Sequence, residues 1–366
     1  MLSNVDRAFL DAALALAERG RFTTTPNPRV GALLVKDGRV VGRGFHLRAG
    51  EPHAEAHALG EARANARGAT CYVSLEPCSH HGRMPPCADA LVAAGVARVV
   101  GAHRDPNPLV RGQGYGRLRE AGVDVAAEDL PAAREINRGF FSRFERGRPW
   151  VRIKVATSLD GRTAMASGES RWITGERARE DVQYWRATSC AILTGIGTVL
   201  ADDPLLSVRA DRFAVGGVLR QPLKVVVDSS LRTPARAKLL STGRTLLIHT
   251  QHNDRDADAR RRALEAAGAE VVELGGSRVS LSALLADLGR RGINELLVEA
   301  GPRLVGALLD ADLWDELVVY VAPKLLGSSA RPFAELPLAR LADARTGKVV
   351  EQTSIGDDLR IRIVRS

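Results

Sequence analysis

A charged, turn-forming stretch, Glu145-Arg-Gly-Arg-Pro149, interrupts an otherwise regular alternation of helix and strand signals and divides the chain into two series. At 366 residues the chain is also longer than one hydrophobic core usually supports, so two domains are expected, 1–147 and 148–366. In the first series Val5, Phe9, Ala13 and Leu16 recur at helical spacing and Gly20 serves as a stop. A strand over 30–35 enters a hairpin turn at Asp37-Gly38 and leaves into Val40-Val41. A helix over 54–66, a strand over 70–74, a helix over 88–94 and a strand over 96–101 follow. The second series opens with a strand at Trp150 and continues with a helix over 176–188 and strands near Ala191, Leu223 and Thr245. A helix over 281–290, a strand over 295–298, a helix start at Gly301 and strands near Glu316 and Arg360 complete it, while 210–221 reads as a loop. Such alternation argues an α/β fold in both halves, with helices packed on mixed sheets.

The apolar fraction of 45% and the charged fraction of 26% are those of an ordinary globular protein. No signal peptide is apparent, since Asp6 and Arg7 stand where its apolar core belongs, and no run of apolar residues is long enough for a membrane span. A cytoplasmic protein with no membrane partner is expected. The formal charge of +9 suits either nucleic acid or phosphorylated metabolites. The arginines are scattered, without a basic arm or interleaved aromatics, which favours metabolite phosphates and no nucleic-acid partner. A homo-oligomer is expected. Four cysteines are too few for a disulfide scaffold in a chain of this length.

Two of those cysteines suggest a metal. His53-Ala-Glu55 opens a helix, Pro77-Cys78 follows a strand, and Cys87 comes nine residues later. One imidazole and two thiolates give tetrahedral zinc three ligands and leave the fourth position to water, whose pKa the metal lowers toward neutrality. Glu55, two residues beyond the histidine, is placed to shuttle a proton without occupying the metal. Separately, a His-Ala-Glu arises by chance and a buried cysteine is often a small hydrophobe. Jointly, H-x-E and P-C form the signature of zinc nucleobase deaminases. His57, one turn from His53, reads as packing or capping. A histidine inside the cysteine loop (His80 or His81) reads as a substrate contact.

The loop Cys78-SHHGRMPP-Cys87 is longer than the Cys-x-x-Cys usual among cytidine deaminases. Together with Thr25-Pro-Asn-Pro-Arg-Val-Gly31 and Asp105-Pro-Asn-Pro-Leu-Val-Arg-Gly-Gln-Gly114, it resembles the bifunctional deaminase-reductases of riboflavin biosynthesis. The resemblance implies an N-terminal cytidine-deaminase-like α/β/α domain and a C-terminal dihydrofolate-reductase-like α/β domain, using zinc and NADPH. It implies a phosphorylated pyrimidine substrate held by Asn27, His46, His80 and Arg83. The residues themselves leave alternatives open: Arg83 suits a phosphate or a solvated surface, and Asn27 between prolines also shapes a turn. Met84 departs from the family, where a threonine usually follows the basic residue.

Gly112-Gln-Gly-Tyr-Gly116 lacks the spacing of a dinucleotide fingerprint and reads as a loop feeding a helix. The second half offers Lys154-Val-Ala-Thr-Ser-Leu-Asp-Gly161, Gly168-Glu-Ser-Arg-Trp172, Thr194-Gly-Ile-Gly-Thr-Val-Leu-Ala-Asp-Asp-Pro204 and Val298-Glu-Ala-Gly-Pro-Arg-Leu-Val-Gly306. These blocks resemble the reductase half of the same family. The resemblance implies an NADPH site formed by Ala156, Trp172, Thr198, Asp202, Ser229, Gly301, Pro302, Arg303, Leu304, Val305, Gly306 and Ala307. It implies a substrate site formed by Ser170, Arg186, Leu205, Arg209 and Glu299. Other readings stand beside these: a capping glycine at 301, a core Trp172, a turn cap at Asp202-Asp203-Pro204, and surface salt bridges for Arg186 and Arg209. The expected sequence of reactions is hydrolytic deamination of a diaminopyrimidinone ribosylamine phosphate, then hydride transfer from NADPH to its opened ribose.

Overall fold

The computed structural model describes residues 2–79, 85–250 and 256–366, and its contacts divide the chain into Met1–Gly147 and Arg148–Ser366. The first unit runs α1 (Asn4–Ala17), β1 (Gly31–Lys36), β2 (Arg39–Phe45), α2 (Ala54–Ala62), β3 (Thr70–Val73), α3 (Cys87–Ala93), β4 (Arg98–Gly101), α4 (Gln113–Glu120), β5 (Asp124–Ala127), α5 (Pro131–Ile136) and α6 (Arg138–Arg146). Among the described residues its strands form one sheet in the order β2-β1-β3-β4-β5, antiparallel at β2-β1 and β1-β3 and parallel beyond. The two-residue period of the strands sorts their side chains cleanly. Ala32, Leu34, Cys71, Val73 and Val99 face α2, α3 and α4, while Leu33, Val35, Tyr72 and Val100 face α1 and α5. The result is a three-layer α/β/α sandwich. The hairpin turn falls at Asp37-Gly38, both at positive φ.

Two local expectations shift. The helix expected over 54–66 ends at Ala62 and continues as a 3-10 turn over Arg63–Ala66. On α1 the buried face is Asp6, Leu10, Ala13, Leu14 and Ala17, whereas Val5 is 62% exposed. A buried aspartate leads that face because it is fully engaged. Asp6 accepts from Arg98 at 2.7 and 3.1 Å and from the Tyr72 hydroxyl at 3.0 Å, and closes a capping box with Ser3.

The second unit runs β6 (Trp150–Ser158), β7 (Arg162–Ala164), α7 (Glu176–Thr188), β8 (Ala191–Gly195), α8 (Ile196–Asp202), β9 (Leu223–Val227), β10 (Thr245–His249), α9 (Ala257–Ala266), β11 (Ala269–Glu273), α10 (Leu281–Arg290), β12 (Glu295–Val298), α11 (Pro302–Asp310), β13 (Glu316–Ala322), β14 (Arg331–Pro332), β15 (Gly347–Ile355) and β16 (Asp358–Arg365). Its main sheet has the order β11-β10-β9-β8-β12-β6-β13-β16-β15, parallel from β11 to β13 and antiparallel at the β16 and β15 edge. Helices α10 and α11 cover one face through Leu284, Leu288, Val305 and Leu308. Helices α7, α8 and α9 cover the other through Val182, Trp185, Val199 and Leu264. Within the sheet Arg152, 3% exposed, is held between Glu316 at 2.9 Å and Glu295 at 3.4 Å.

The hydrogen bond from Arg98, aided by Ser3 and Tyr72, holds the Asp6 carboxyl far below the usual carboxylate range. A depressed folded-state pKa adds stability that is complete above the unfolded value of about 3.9 and drains away as pH falls below it. Asp6→Asn should therefore cost roughly 1.5–3 kcal/mol in urea denaturation at pH 7. At pH 3 the deficit should shrink. A deficit that stays constant with pH would show that the carboxylate charge is not the stabilising group.

Candidate functional site

In the first unit three donors converge. His53 is the N-cap of α2, Cys87 begins α3, and Cys78 lies on the connection between β3 and α3. Their ligand atoms all lie within 4.8 Å of one another. His53 Nδ1 stands 3.6 Å from Cys78 Sγ and 3.3 Å from Cys87 Sγ. Zinc bonds of about 2.3 Å to sulfur and about 2.05 Å to nitrogen at tetrahedral angles require N···S separations of roughly 3.6 Å, so the donor set fits that ion. The hydrogen bond from Cys87, followed by that from His53, draws the Cys78 thiol down to about 4, while the same contact pushes Cys87 up. Glu55, on the first turn of α2, is 3% exposed, and burial raises its carboxyl to about 7 against the opposing pull of His53.

His46 lies beside this cluster, its ring centroid 5.1 Å from that of His53 in an edge-on arrangement. Burial lowers its pKa, which favours the neutral ring. Nδ1 then donates to the Pro52 carbonyl at 3.2 Å, leaving Nε2 to accept from the Asn27 amide at 3.0 Å. Asn27 and His46 thus form one unit next to the metal-type donors. His57 is exposed and stands outside the cluster. His80, His81, Arg83 and Met84 lie outside the described residues.

Glu76 does more than its sequence context signals. Its buried carboxylate accepts four backbone N–H groups, from Asp105 (3.2 Å), Gly112 (3.0 Å), Gly114 (3.0 Å) and Tyr115 (3.2 Å). That fastens the Asp-Pro-Asn-Pro loop and the start of α4 beneath Pro77-Cys78. A Cβ on Gly114 would sit 1.9 Å from the Pro77 carbonyl oxygen, so only glycine allows the approach. The glycine-rich segment at 112–116 is accordingly a buttress for the cysteine loop.

In the second unit a crevice of about 1770 Å³ opens at the carboxyl ends of β6, β12, β8 and β9. It lies where α8 and α11 leave adjacent strands on opposite faces of the sheet, the switch point at which open α/β sheets bind ligands. Its volume exceeds the roughly 300–1,000 Å³ of a single drug-sized ligand and suits two. Of the expected cofactor residues, Ala156, Trp172, Thr198, Asp202, Ser229, Gly301, Pro302, Arg303, Leu304 and Ala307 line it, as do all five expected substrate residues, Ser170, Arg186, Leu205, Arg209 and Glu299.

Val305 and Gly306 do not line the crevice. Helical periodicity turns Val305 into the core, and Gly306 packs against the 331–335 segment, where a Cβ would meet the Glu335 carbonyl at 2.1 Å. Trp172 is 62% exposed and stacks against Arg179, so it is no core residue. Facing N-termini narrow the middle of the crevice: Leu304 of α11 lies 3.6 Å from where a Cβ on Gly195, the N-cap of α8, would be. The free N–H groups at the start of α11, with Gly301 as N-cap and Pro302 at N1, suit a pyrophosphate, so the crevice fits a dinucleotide.

At the β6 end Arg186 grips Glu299 through two bonds of 2.6 and 2.9 Å and donates its third nitrogen to the Ser207 carbonyl. Burial pushes Glu299 up, but Arg186, Lys154 and Arg209 outweigh it and hold the carboxyl below its ordinary value. Lys154, unremarked as a side chain in the sequence, also lines this end, and burial lowers its amine despite the pull of Glu299. A second cation two residues beyond Arg152 in a buried strand was the available signal. Arg209 is fixed by its backbone N–H on Gln183, and among the described residues its side chain makes no hydrogen bond or ion pair, acting on Glu299 only through its charge.

Residues 149–356 match the family described as the RibD C-terminal domain, and residues 3–103 match the cytidine and deoxycytidylate deaminase zinc-binding region. The chain is 50% identical over 369 residues to the riboflavin biosynthesis protein RibD of Escherichia coli (strain K12), covering 98% of this chain and 99% of that one. It is 38% identical over 364 residues to RibD of Aquifex aeolicus (strain VF5), covering 99% of each. Among solved structures it is similar to Acinetobacter baumannii RibD, form 2, with a TM-score of 0.91 and 42% identity over 99% of both chains. The Thermotoga maritima diaminohydroxyphosphoribosylaminopyrimidine deaminase/5-amino-6-(5-phosphoribosylamino)uracil reductase gives a TM-score of 0.85 and 29% identity over 99% of both chains.

Gly114→Ala should push Pro77-Cys78 away from His53 and cost about 1–3 kcal/mol in stability. Metal analysis of the purified variant should find less than one zinc per chain after mild chelation that leaves the wild type loaded. Full retention at an unchanged melting temperature would show that the buttress does not set the position of Cys78.

Proposed function

This chain belongs to the RibD family of riboflavin biosynthesis proteins, and from that premise we propose that the His53–Cys78–Cys87 cluster and the crevice of the second unit are its two active sites. It is a bifunctional enzyme, a zinc-dependent deaminase and an NADPH-dependent reductase. The first half has the cytidine-deaminase-like fold and the second the dihydrofolate-reductase-like fold. The deaminase hydrolyses 2,5-diamino-6-(5-phosphoribosylamino)pyrimidin-4-one, and the reductase converts the ribosyl group of that product to give 5-amino-6-(5-phosphoribitylamino)uracil.

The observation that carries the site assignment is one imidazole nitrogen and two sulfurs at metal-binding separations beside a buried carboxyl. His53, Cys78 and Cys87 would hold the ion. When bound, zinc supplies Lewis acidity and brings the pKa of water near neutrality. Glu55, with a carboxyl near 7, would take one proton from the attacking water and give it to the ring nitrogen, then carry the remaining proton of the added hydroxyl to the amino group, which leaves as ammonia as the carbonyl forms. The Asn27–His46 pair would orient the pyrimidine; His80 and Arg83, outside the described residues, are read from the family resemblance alone as further contacts to the same substrate.

In the crevice, the N-termini of α8 and α11, with Ala156, Trp172, Asp202 and Ser229, would hold the dinucleotide, and Ser170 and Leu205 would pack around the substrate. NADPH supplies the hydride. Arg186 is committed to Glu299, which supports a positioning role for it and leaves Arg209 as the group for the ribose phosphate. Glu299 and Lys154 face the ribose from opposite charges.

The phosphorylated pyrimidine is the small-molecule partner. The reading includes a homo-oligomer, supported by the edge strand β15, where Val349 and Val350 stand 54% and 47% exposed. It also places the enzyme in the cytoplasm, supported by four free cysteines; no helix among the described residues is long and apolar enough to cross a membrane.

Incubation with the diaminopyrimidinone nucleotide should release ammonia, and subsequent NADPH should be oxidised. Glu55→Gln should lower deamination by about 10²–10⁴-fold while leaving zinc content and the reductase untouched. Loss of both activities would defeat the division between halves. Arg209→Ala should raise the reductase KM for substrate about tenfold or more with KM for NADPH nearly unchanged. An equal rise in both would remove Arg209 from the phosphate site.

A further inference from the structure

The cations of the crevice are unevenly committed. Arg171, Arg179, Arg186, Arg303 and Arg331 each donate to, or pair with, a carbonyl or carboxylate. Three guanidinium groups make no hydrogen bond or ion pair with the described residues: Arg209 at the β6 end, where its charge acts on Glu299, and Arg232 and Arg278 at the opposite end. Arg232 follows β9, and Arg278 precedes α10; both are exposed. Adjacent strands lie about 4.8 Å apart, so the three steps from β6 through β12 and β8 to β9 set these ends roughly 14 Å apart.

That separation orders an extended dinucleotide. The reacting nicotinamide belongs beside the ribose-facing Glu299 and Lys154, and the pyrophosphate belongs at the paired helix starts in the middle. The adenosine then falls at the β9 end, beside Ser229, Ser230, Arg232 and Arg278. Two guanidinium groups with no hydrogen bond or ion pair among the described residues, and two hydroxyls, suit a phosphate monoester, which carries nearly two negative charges at neutral pH. A plain ribose hydroxyl offers nothing for two cations to neutralise.

We propose that Arg232 and Arg278, with the Ser229 and Ser230 hydroxyls, bind the 2′-phosphate of the cofactor and set the preference for NADPH over NADH. The proposal rests on reading the crevice as the NADPH site. Arg209 lies too far along the sheet to share the task, which separates recognition of the substrate phosphate from that of the cofactor.

The test is calorimetric binding of 2′,5′-ADP, 5′-AMP, NADP⁺ and NAD⁺ to the full chain and to the Arg232→Ala/Arg278→Ala double variant. Wild type should bind 2′,5′-ADP more tightly than 5′-AMP, and NADP⁺ more tightly than NAD⁺. The double variant should lose about tenfold or more for the two phosphorylated ligands, with NAD⁺ and 5′-AMP changed by no more than about twofold. Arg209→Ala should leave all four affinities unchanged. Both arginines are exposed, so the variant's melting temperature should match the wild type. Unchanged NADP⁺ affinity, or parallel loss of NADP⁺ and NAD⁺, would overturn the proposal while leaving the crevice as the cofactor site. Wild-type protein that binds neither dinucleotide would overturn the cofactor reading itself, and the proposal with it.

Discussion

Parallel pairing of neighbouring strands is the constraint from which both units follow. A parallel pair cannot be closed by a tight turn, so each connection must cross over a face of the sheet, usually as a helix. The segments that follow the strands then collect at one edge, carrying helix N-termini with them. In the first unit the chain leaving β3 brings Glu76 and Cys78 to that edge, and α3 starts with Cys87. In the second unit β6, β12, β8 and β9 deliver Lys154, Glu299, Thr198 and Ser229 to a common crevice. The chemistry differs, but the way the backbone gathers it is the same.

Much of this was legible in the residues. The alternation of elements, the break at Glu145-Arg-Gly-Arg-Pro149 and the His-x-Glu, Pro-Cys and Cys spacing rest on local pattern, which survives folding. Strand β11 and helix α9 give little local signal because 257–273 is rich in charge, and strand β15 because 347–355 lacks an apolar alternation. The face of α1 was misread by one position because an aspartate occupies a core site. The 301–307 block, taken whole, runs through a helix, whose periodicity turns Val305 and Gly306 away from the crevice.

What the residues could not disclose is chiefly the pairing of buried charge. Asp6 with Arg98, Glu76 with four peptide N–H groups, Arg152 with two glutamates and Arg186 with Glu299 join positions far apart in the chain. A buried charge left alone is costly, so each of these groups dictates where its partner's backbone must be. Arg186 illustrates the consequence for function. As a sequence position it suits a phosphate, but its nitrogens are spent on Glu299 and Ser207, so what it fixes in the crevice is the orientation of the Glu299 carboxylate.

The contact between Gly306 and Glu335 has a mechanical meaning. Glu335 donates its N–H to the Pro302 carbonyl at 3.0 Å, and its own carbonyl occupies the space a side chain at 306 would need. Backbone therefore touches backbone, with no flexible side chain between to absorb strain. Helix α11 and the 331–335 segment, both walls of the crevice, are riveted into a single fixed jaw. The opposing side, built from α8 and the exposed Trp172, carries no such backbone rivet among the contacts described, so the two walls of one crevice are held by different means.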